Sequence, residues 1–189
     1  MDAIETRKVG KVILKIYHDE DPLDPRKDCD NFGTMVCWHS RYNLGDGIEI
    51  ENINEFAAHL NKTAAIKLPL FLYNHSGITM NTTGYMNMDP AQWDWGQVGW
   101  IYVTIDDALR EYGWKRTSKR RRRAIMNRLL QEVQAYRQYL EGDVYGFNIE
   151  DKDGEVVDSC WNFYGMNYVR EEGMRAARNA PQNDQLTLL

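Results

Sequence analysis

The sequence VGWIYVTIDDALREYGWKRTSKRRRRAIMNRLLQEVQAYRQYL, residues 98–140, decides the fold class because a strand pattern is followed by two helical patterns. Its first eight residues are mostly β-branched and aromatic, which favours a buried strand. We predict a short helix over residues 106–112 with Thr104 as its cap. From Ser118 onward, apolar side chains recur at steps of three or four, which predicts a long amphipathic helix. Its buried stripe comprises Ile125, Leu129, Val133, Tyr136 and Leu140.

The rest of the chain contains strand and helix patterns without a regular β–α–β order. Apolar, β-branched runs predict strands at residues 9–17, 34–39, 67–73, 143–151 and 155–163. Apolar spacing of three or four predicts helices at residues 52–65 and 166–179. Asp153-Gly154, between the last two strands, is a strong hairpin signal. We therefore predict an α+β fold: a mostly antiparallel sheet of about five to seven strands with three to four helices packed on it.

The length and composition of the chain are typical of one globular domain. It has 189 residues, of which 43% are hydrophobic and 27% charged, so it is long enough to bury a core without disulfides or metals. We predict a single α+β domain over residues 1–180 and a flexible tail over residues 181–189. The net charge of −5 argues against nucleic-acid binding over the whole surface, although it permits a local basic patch.

The cysteines and the hydropathy pattern indicate the compartment. Cys29, Cys37 and Cys160 form an odd set without C-x-x-C spacing, which disfavours a disulfide framework or a thiolate zinc site. We interpret Cys160 as a buried residue of a central strand, because unpaired cysteines are usually buried. The first residues contain no apolar secretion signal, and no window reaches the roughly 18 apolar residues of a membrane span. The sequence therefore predicts a cytoplasmic protein with no membrane partner.

One cluster of polar residues surrounds the second predicted strand. Alternation along this strand places Cys37, His39 and Arg41 on one face. If that face lines a cleft, His39 is a candidate general base, or a candidate metal ligand together with Asp30 or Asp46. The isolated histidine favours the alternative, a surface residue beside a turn that caps its own backbone.

A second cluster follows the predicted strand KLPLFLY, at a position where rigid scaffolds present functional loops. His75 is adjacent to Ser76, but neighbouring residues of a strand point to opposite sides, which disfavours a serine nucleophile pair. His75, His39 and Asp94 together have the donor types of a mononuclear metal site. The pattern favours the alternative of structural hydrogen bonds, so we predict no cofactor and keep these three residues as candidate catalytic residues.

A third feature is the segment Trp93, Asp94 and Trp95, which directly precedes a predicted strand. Tryptophan is enriched among the residues that dominate binding energy, so the two rings are candidates for an exposed recognition surface. The alternative is that both rings fold back as a lid over the sheet. The sequence leaves both interpretations open.

A basic run carries seven positive side chains within nine residues and no acid. Its charged residues are Lys115, Arg116, Lys119, Arg120, Arg121, Arg122 and Arg123. Positive charge at the start of a helix opposes the helix dipole, which makes a contact with phosphate or with an acidic protein a candidate role. The favoured alternative is a solvated helix start that pairs with the loop at residues 18–31, which contains six acids and two bases.

Five motifs, in this order, resemble a family of uncharacterised bacteriophage and mobile-element proteins. They are DNFGTMVCWHSRYNLGD, LPLFLYNHSGITM, WDWGQVGWIYVT, GDVYGFNIED and DSCWNFYG. The resemblance covers roughly residues 20–170, and the ordered set is more specific than any single motif. This chain has Asn74 and Trp95 where the family pattern has an aspartate and a small residue. The resemblance implies an origin on phage-like DNA and activity in a bacterial host, and it assigns no catalytic residue.

We therefore predict a phage-encoded accessory protein that acts by binding a host protein rather than by catalysis. The favoured role is inhibition of a host antiviral defence system, in the manner of anti-CRISPR proteins. One alternative is a metal-assisted hydrolase or nucleotide-processing enzyme that uses His39, His75 and nearby aspartates. A second alternative is a nucleic-acid-binding module that acts through residues 120–123 of the basic run.

Overall fold

The computed structural model describes residues 2–180, and these form four helices and eight strands. The strands pair into two antiparallel sheets of four. The predicted α+β class is thus confirmed, with the strands divided between two sheets. In chain order the elements are β1 (Glu5–Val9), β2 (Val12–His18), β3 (Thr34–Cys37), α1 (Ile53–Thr63), β4 (Ala64–Asn74), β5 (Ile78–Asn81), β6 (Trp95–Thr104), α2 (Ile105–Glu111), α3 (Lys119–Glu141), β7 (Val144–Glu150), β8 (Val156–Tyr164) and α4 (Met166–Asn179).

The sequence predicted one domain, but the contacts between residues divide the chain into two compact units. The first unit is the described part of Met1–Leu23 and Gly142–Leu189, and the second is Asp24–Glu141. Each unit has its own sheet and its own core of buried apolar side chains. The predicted tail, residues 181–189, lies outside the described residues. Between residues 2 and 180 no helix is long and apolar enough to cross a membrane.

The sheet of the first unit has the strand order β1-β2-β7-β8, and α4 packs against it. Leu14 and Phe147 belong to its core. A Cβ atom at Gly173 of α4 would lie 2.9 Å from Leu14, so this glycine allows the helix to approach the sheet closely. The predicted hairpin at Asp153-Gly154 is confirmed, since β7 and β8 pair antiparallel around it and Gly154 has a φ of +85°.

The prediction for Cys160 is wrong. Its strand, β8, lies at the edge of the sheet rather than at its centre, and the Cys160 side chain is exposed. All residues of β8 from 156 to 161 are exposed. An edge strand has a neighbouring strand on one side only, and a run of β-forming residues does not show whether a strand is at the edge.

The sheet of the second unit has the strand order β3-β6-β4-β5, and α3 lies along it. The predicted stripe of α3 is confirmed for Ile125, Leu129, Val133 and Tyr136, which are buried in this core. Its fifth residue, Leu140, is only partly buried against the core. The predicted helix starts are also found. Thr104 accepts a hydrogen bond from the backbone of α2 at 3.1 Å, and Ser118 accepts one from the backbone of α3 at 3.3 Å. With 23 residues, α3 is about 35 Å long.

Candidate functional site

Three loops meet at one end of the second sheet and bring together His39, His75 and Asp94. β4 and β6 are antiparallel with Tyr73 opposite Trp95, so the end of β4 lies beside the start of β6. The backbone N–H at position 74 donates to the carbonyl of Asp94 at 2.8 Å. Nδ1 of His75 lies 2.9 Å from Oδ2 of Asp94. This hydrogen bond orients the exposed imidazole of His75. Such an arrangement fits both a structural and a catalytic role for this residue.

His39 lies in the loop after β3. The sequence prediction placed Cys37, His39 and Arg41 on one face of a strand, but β3 ends at Cys37, so this prediction is wrong. The chain turns here because Nδ1 of His39 accepts hydrogen bonds from the backbone N–H groups of Arg41 at 3.1 Å and Tyr42 at 3.3 Å. The predicted alternative for His39, a residue beside a turn, agrees with this geometry.

Contacts between side chains connect His39 to the end of β4. The His39 ring stacks on Tyr42, with 5.0 Å between ring centroids. The Tyr42 hydroxyl donates to Oδ1 of Asn74 at 3.3 Å, directly before His75 in the chain. The sequence candidates His39, His75 and Asp94 therefore belong to one continuous surface.

The two tryptophans have different environments. The Trp95 indole N–H donates to the carbonyl of Asp89 at 2.7 Å, and its ring packs edge-on against Phe71 and Tyr85. Trp93, in contrast, is 88% exposed. Of the two interpretations that the sequence left open, packing on the sheet applies to Trp95 and exposure applies to Trp93.

The loop that carries Trp93 is held by the carboxylate of Asp89. This carboxylate accepts hydrogen bonds from the N–H groups of Trp93 at 2.7 Å, Asp94 at 2.9 Å and Ala91 at 3.1 Å. The backbone donors, first that of Asp94, lower the pKa of Asp89. Gln92 has a φ of +57°, an unfavourable value for a non-glycine residue that the surrounding hydrogen bonds maintain. Trp93 is therefore exposed on an ordered loop.

An open hollow of about 510 Å³ lies beside these residues. Its polar lining includes His39, Arg41, Asn74 and Asp94, and Trp93 also lines it. We call the surface formed by His39, Arg41, Asn74, His75, Trp93 and Asp94 the Trp93 surface. It combines one large apolar ring with neighbouring hydrogen-bonding groups, the composition of a recognition surface.

The structure does not arrange the candidate metal ligands Asp30, His39 and His75 around a common point, although His39 and His75 belong to one surface. Within residues 2–180 there is no group of three or more histidine, cysteine, aspartate or glutamate side chains arranged to hold a metal ion. Asp30 is exposed in the loop before β3. Burial, assisted by the negative charge of Asp46, raises the pKa of Cys37 to about 12, so this thiol is protonated at neutral pH.

Sequence reasoning missed the buried residue Arg26, which joins the loops of this unit to α3. Its guanidinium donates to both carboxylate oxygens of Asp46 at 2.7 and 3.0 Å and to Glu132 at 2.9 Å. It also donates to the side chain of Asn31 at 2.9 Å and to the carbonyl of Gly33 at 2.7 Å. Burial opposes the charged form, but hydrogen bonds and charges from the two carboxylates raise the pKa of Arg26. An arginine in a polar loop gives no sequence signal for burial.

The basic run occupies the start of α3 and the preceding loop. The predicted pairing with the acidic loop is not found in the second unit, where Asp24 pairs instead with Lys27 at 3.0 Å. Within residues 2–180, none of the seven cations of the run forms an ion pair. The Arg121 guanidinium lies 4.8 Å from the centre of the Trp114 ring.

The basic run and the Trp93 surface lie at opposite ends of α3. Near the start of the helix, Arg122 shares a hollow with Ala64 and Lys67 at the beginning of β4. At its other end, Glu141 accepts a hydrogen bond from Thr79 of β5, close to the end of β4. Comparison of the chain with protein-family models, with curated proteins and with solved structures gives no match.

Proposed function

We propose that this protein acts by binding a host protein through the Trp93 surface, as a phage-encoded accessory protein that inhibits an antiviral defence system. The observation that carries the proposal is the 88% exposure of Trp93 on a loop fixed by Asp89. A large exposed ring has an unfavourable contact with water that a partner removes. Because the loop is already ordered, little conformational entropy is lost when the partner binds.

The surroundings of Trp93 also suit a protein partner. Asp94 and His75 form a hydrogen-bonded pair beside the ring, and Arg41 contributes a cation to the adjacent hollow. Binding hot spots typically combine a central aromatic residue with a polar rim that excludes water. The motif resemblance supports a phage origin, which would place host proteins among the available partners.

The test begins with a tagged copy of the chain in lysate from bacteria that carry several defence systems, with and without nuclease treatment. A captured protein is then purified and its affinity for the wild-type chain and for Trp93→Ala is measured by calorimetry. Loss of a hot-spot tryptophan costs at least about 2 kcal/mol, so we expect the affinity to fall about 30-fold or more. Tyr168→Ala is the matched control, because Tyr168 is an exposed aromatic residue in the other unit.

The functional arm measures phage plating on cells that carry the defence system of the captured protein. Expression of the wild-type chain is expected to restore plating, and expression of Trp93→Ala is expected to leave immunity intact. The proposal fails if Trp93→Ala binds as tightly as the Tyr168→Ala control. It also fails if the complex forms but immunity is unaffected.

A further inference from the structure

We infer that the start of α3 carries a second binding site, which takes the phosphodiester backbone of a nucleic acid. The site is the basic surface formed by Lys115, Arg116, Lys119, Arg120, Arg121, Arg122 and Arg123. Six of these side chains are exposed, and none of the seven is engaged in an ion pair within the described part of the chain. The inference is independent of the proposed host-protein partner, because the Trp93 surface lies at the other end of α3.

The position of these cations is unfavourable for the folded chain by itself. Five of them occupy the first five residues of α3, whose first turn contains no acid. The unpaired N–H groups there already give this end of the helix a partial positive charge, so each added cation is repelled. Mutual repulsion among seven neighbouring cations adds to this effect. A bound polyanion removes both penalties.

One cation of the basic surface is held in place by an aromatic ring. Arg121 lies over the Trp114 ring at 4.8 Å and donates from Nη1 to the carbonyl of Arg116 at 2.6 Å. Trp114 in turn stacks on Tyr112, with 4.2 Å between ring centroids and an interplanar angle of 10°. The loop before α3 is therefore fixed against its start, so the cations of loop and helix are presented together.

The spacing of charge favours nucleic acid over an acidic protein. Successive helical residues are rotated by about 100°, so residues 119–123 surround the helix and about three or four cations can face one ligand. Duplex DNA presents one negative charge per roughly 1.7 Å of its axis. About three or four phosphates therefore lie within the length of the first turn and a half of α3, where residues 119–123 are. A folded acidic protein would have to bring about three or four carboxylates together within that length, where like charges repel one another. Arginine, the predominant residue here, matches the geometry of phosphate oxygens and of carboxylate oxygens alike, so it fits this ligand without distinguishing it from an acidic protein.

The test measures binding of the protein by fluorescence anisotropy of labelled nucleic acids: a 20-base-pair DNA duplex and single-stranded DNA and RNA of 20 nucleotides. Labelled polyglutamate is the probe for an acidic protein. For wild type we expect a micromolar Kd at low salt, and a slope of log affinity against log salt of about −3, from three or four phosphate contacts. A tighter complex with duplex or with single strands would identify the form that is bound; either supports the inference.

The variant that tests the site replaces Arg120, Arg122 and Arg123 with Gln. We expect its nucleic-acid affinity to fall at least about tenfold, with a shallower salt slope. The matched control replaces Arg7, Arg175 and Arg178 with Gln. These three exposed arginines lie in the first unit, outside both the basic surface and the Trp93 surface, and their loss changes the net charge equally. Trp93→Ala and the control triple variant should both bind nucleic acid as wild type does.

Three results would overturn the inference. They are absent binding to all three nucleic acids, equal losses in the two triple variants, and binding of polyglutamate as tight as that of nucleic acid. The last result would assign the basic surface to an acidic protein. Because Trp93→Ala tests the proposed function and the arginine variant tests this site, failure of one can be distinguished from failure of the other.

Discussion

Replacing Arg26 with Leu is predicted to destabilise the second unit strongly. The guanidinium is only 1% exposed, and its donors contact Asp46, Glu132, Asn31 and the carbonyl of Gly33. Leucine supplies no donor, so two carboxylates lose their cation and the amide and carbonyl oxygens lose a hydrogen bond. The substitution therefore leaves the carboxylates of Asp46 and Glu132 without the cation that had paired with both.

The expected loss follows from how deeply the two carboxylates are buried. Breaking a fully buried ion pair costs about 3–5 kcal/mol. The Asp46 and Glu132 side chains retain 21% and 14% exposure, and each keeps backbone donors, Met35 for Asp46 and Phe32 for Glu132. Water and these amides offset part of the loss. We expect the free energy of unfolding to decrease by about 3 kcal/mol, at the lower end of that range.

The measurement is urea-induced unfolding followed by tryptophan fluorescence. Five of the six tryptophans belong to the second unit, so replacing Trp161 with Phe in all samples makes the signal specific for that unit. Arg110→Leu is the control, because it breaks an exposed pair with Asp107 and should cost less than about 1 kcal/mol. If Arg26→Leu is as stable as Arg110→Leu, the argument from the buried guanidinium is refuted.

Three further predictions concern single residues. Backbone donors lower the pKa of Asp89. The ionised carboxylate therefore stabilises the loop above the ordinary pKa of an aspartate, near pH 4, and this stabilisation is lost as the pH falls through the lowered pKa. In NMR spectra, the amide resonance of Trp93, which donates to Asp89, should therefore shift only in acid. Burial raises the pKa of Cys37 to about 12, so at pH 8 a disulfide reagent should modify the exposed Cys29 and Cys160 rapidly and the half-buried Cys37 much more slowly. A Cβ at Gly84, where φ is +81°, would lie 2.7 Å from the Trp95 ring; Gly84→Ala should lower the thermal midpoint by several degrees, and an unchanged midpoint would contradict this packing.

The elements that the sequence predicted well are those that depend on near neighbours. The buried stripe of α3 comes from apolar residues three or four positions apart, and Thr104 and Ser118 cap helices through N–H groups three residues away. The hairpin at Asp153-Gly154 likewise depends on adjacent residues that adopt a tight turn. Such signals are local, so they are readable along the chain.

The two short strands β1 and β5 were missed because their sequences lack that local signal. β1 reads ETRKV and its three central residues are exposed, and β5 is only four residues long within a polar, turn-rich stretch. Their strand conformation is due to pairing with β2 and β4. Backbone pairing of this kind stabilises an extended segment whatever its own side chains favour.

The sequence alone determined the α+β class and the long helix, and it supplied His39, His75 and Asp94 as candidate residues. Only the tertiary structure decided that Trp93 is exposed while Trp95 packs on the sheet, and that Arg26 is buried. These outcomes depend on partners distant in the chain: Arg26 bonds to Glu132, 106 positions away. Composition and periodicity describe what a residue favours, but only the folded chain determines which distant groups surround it.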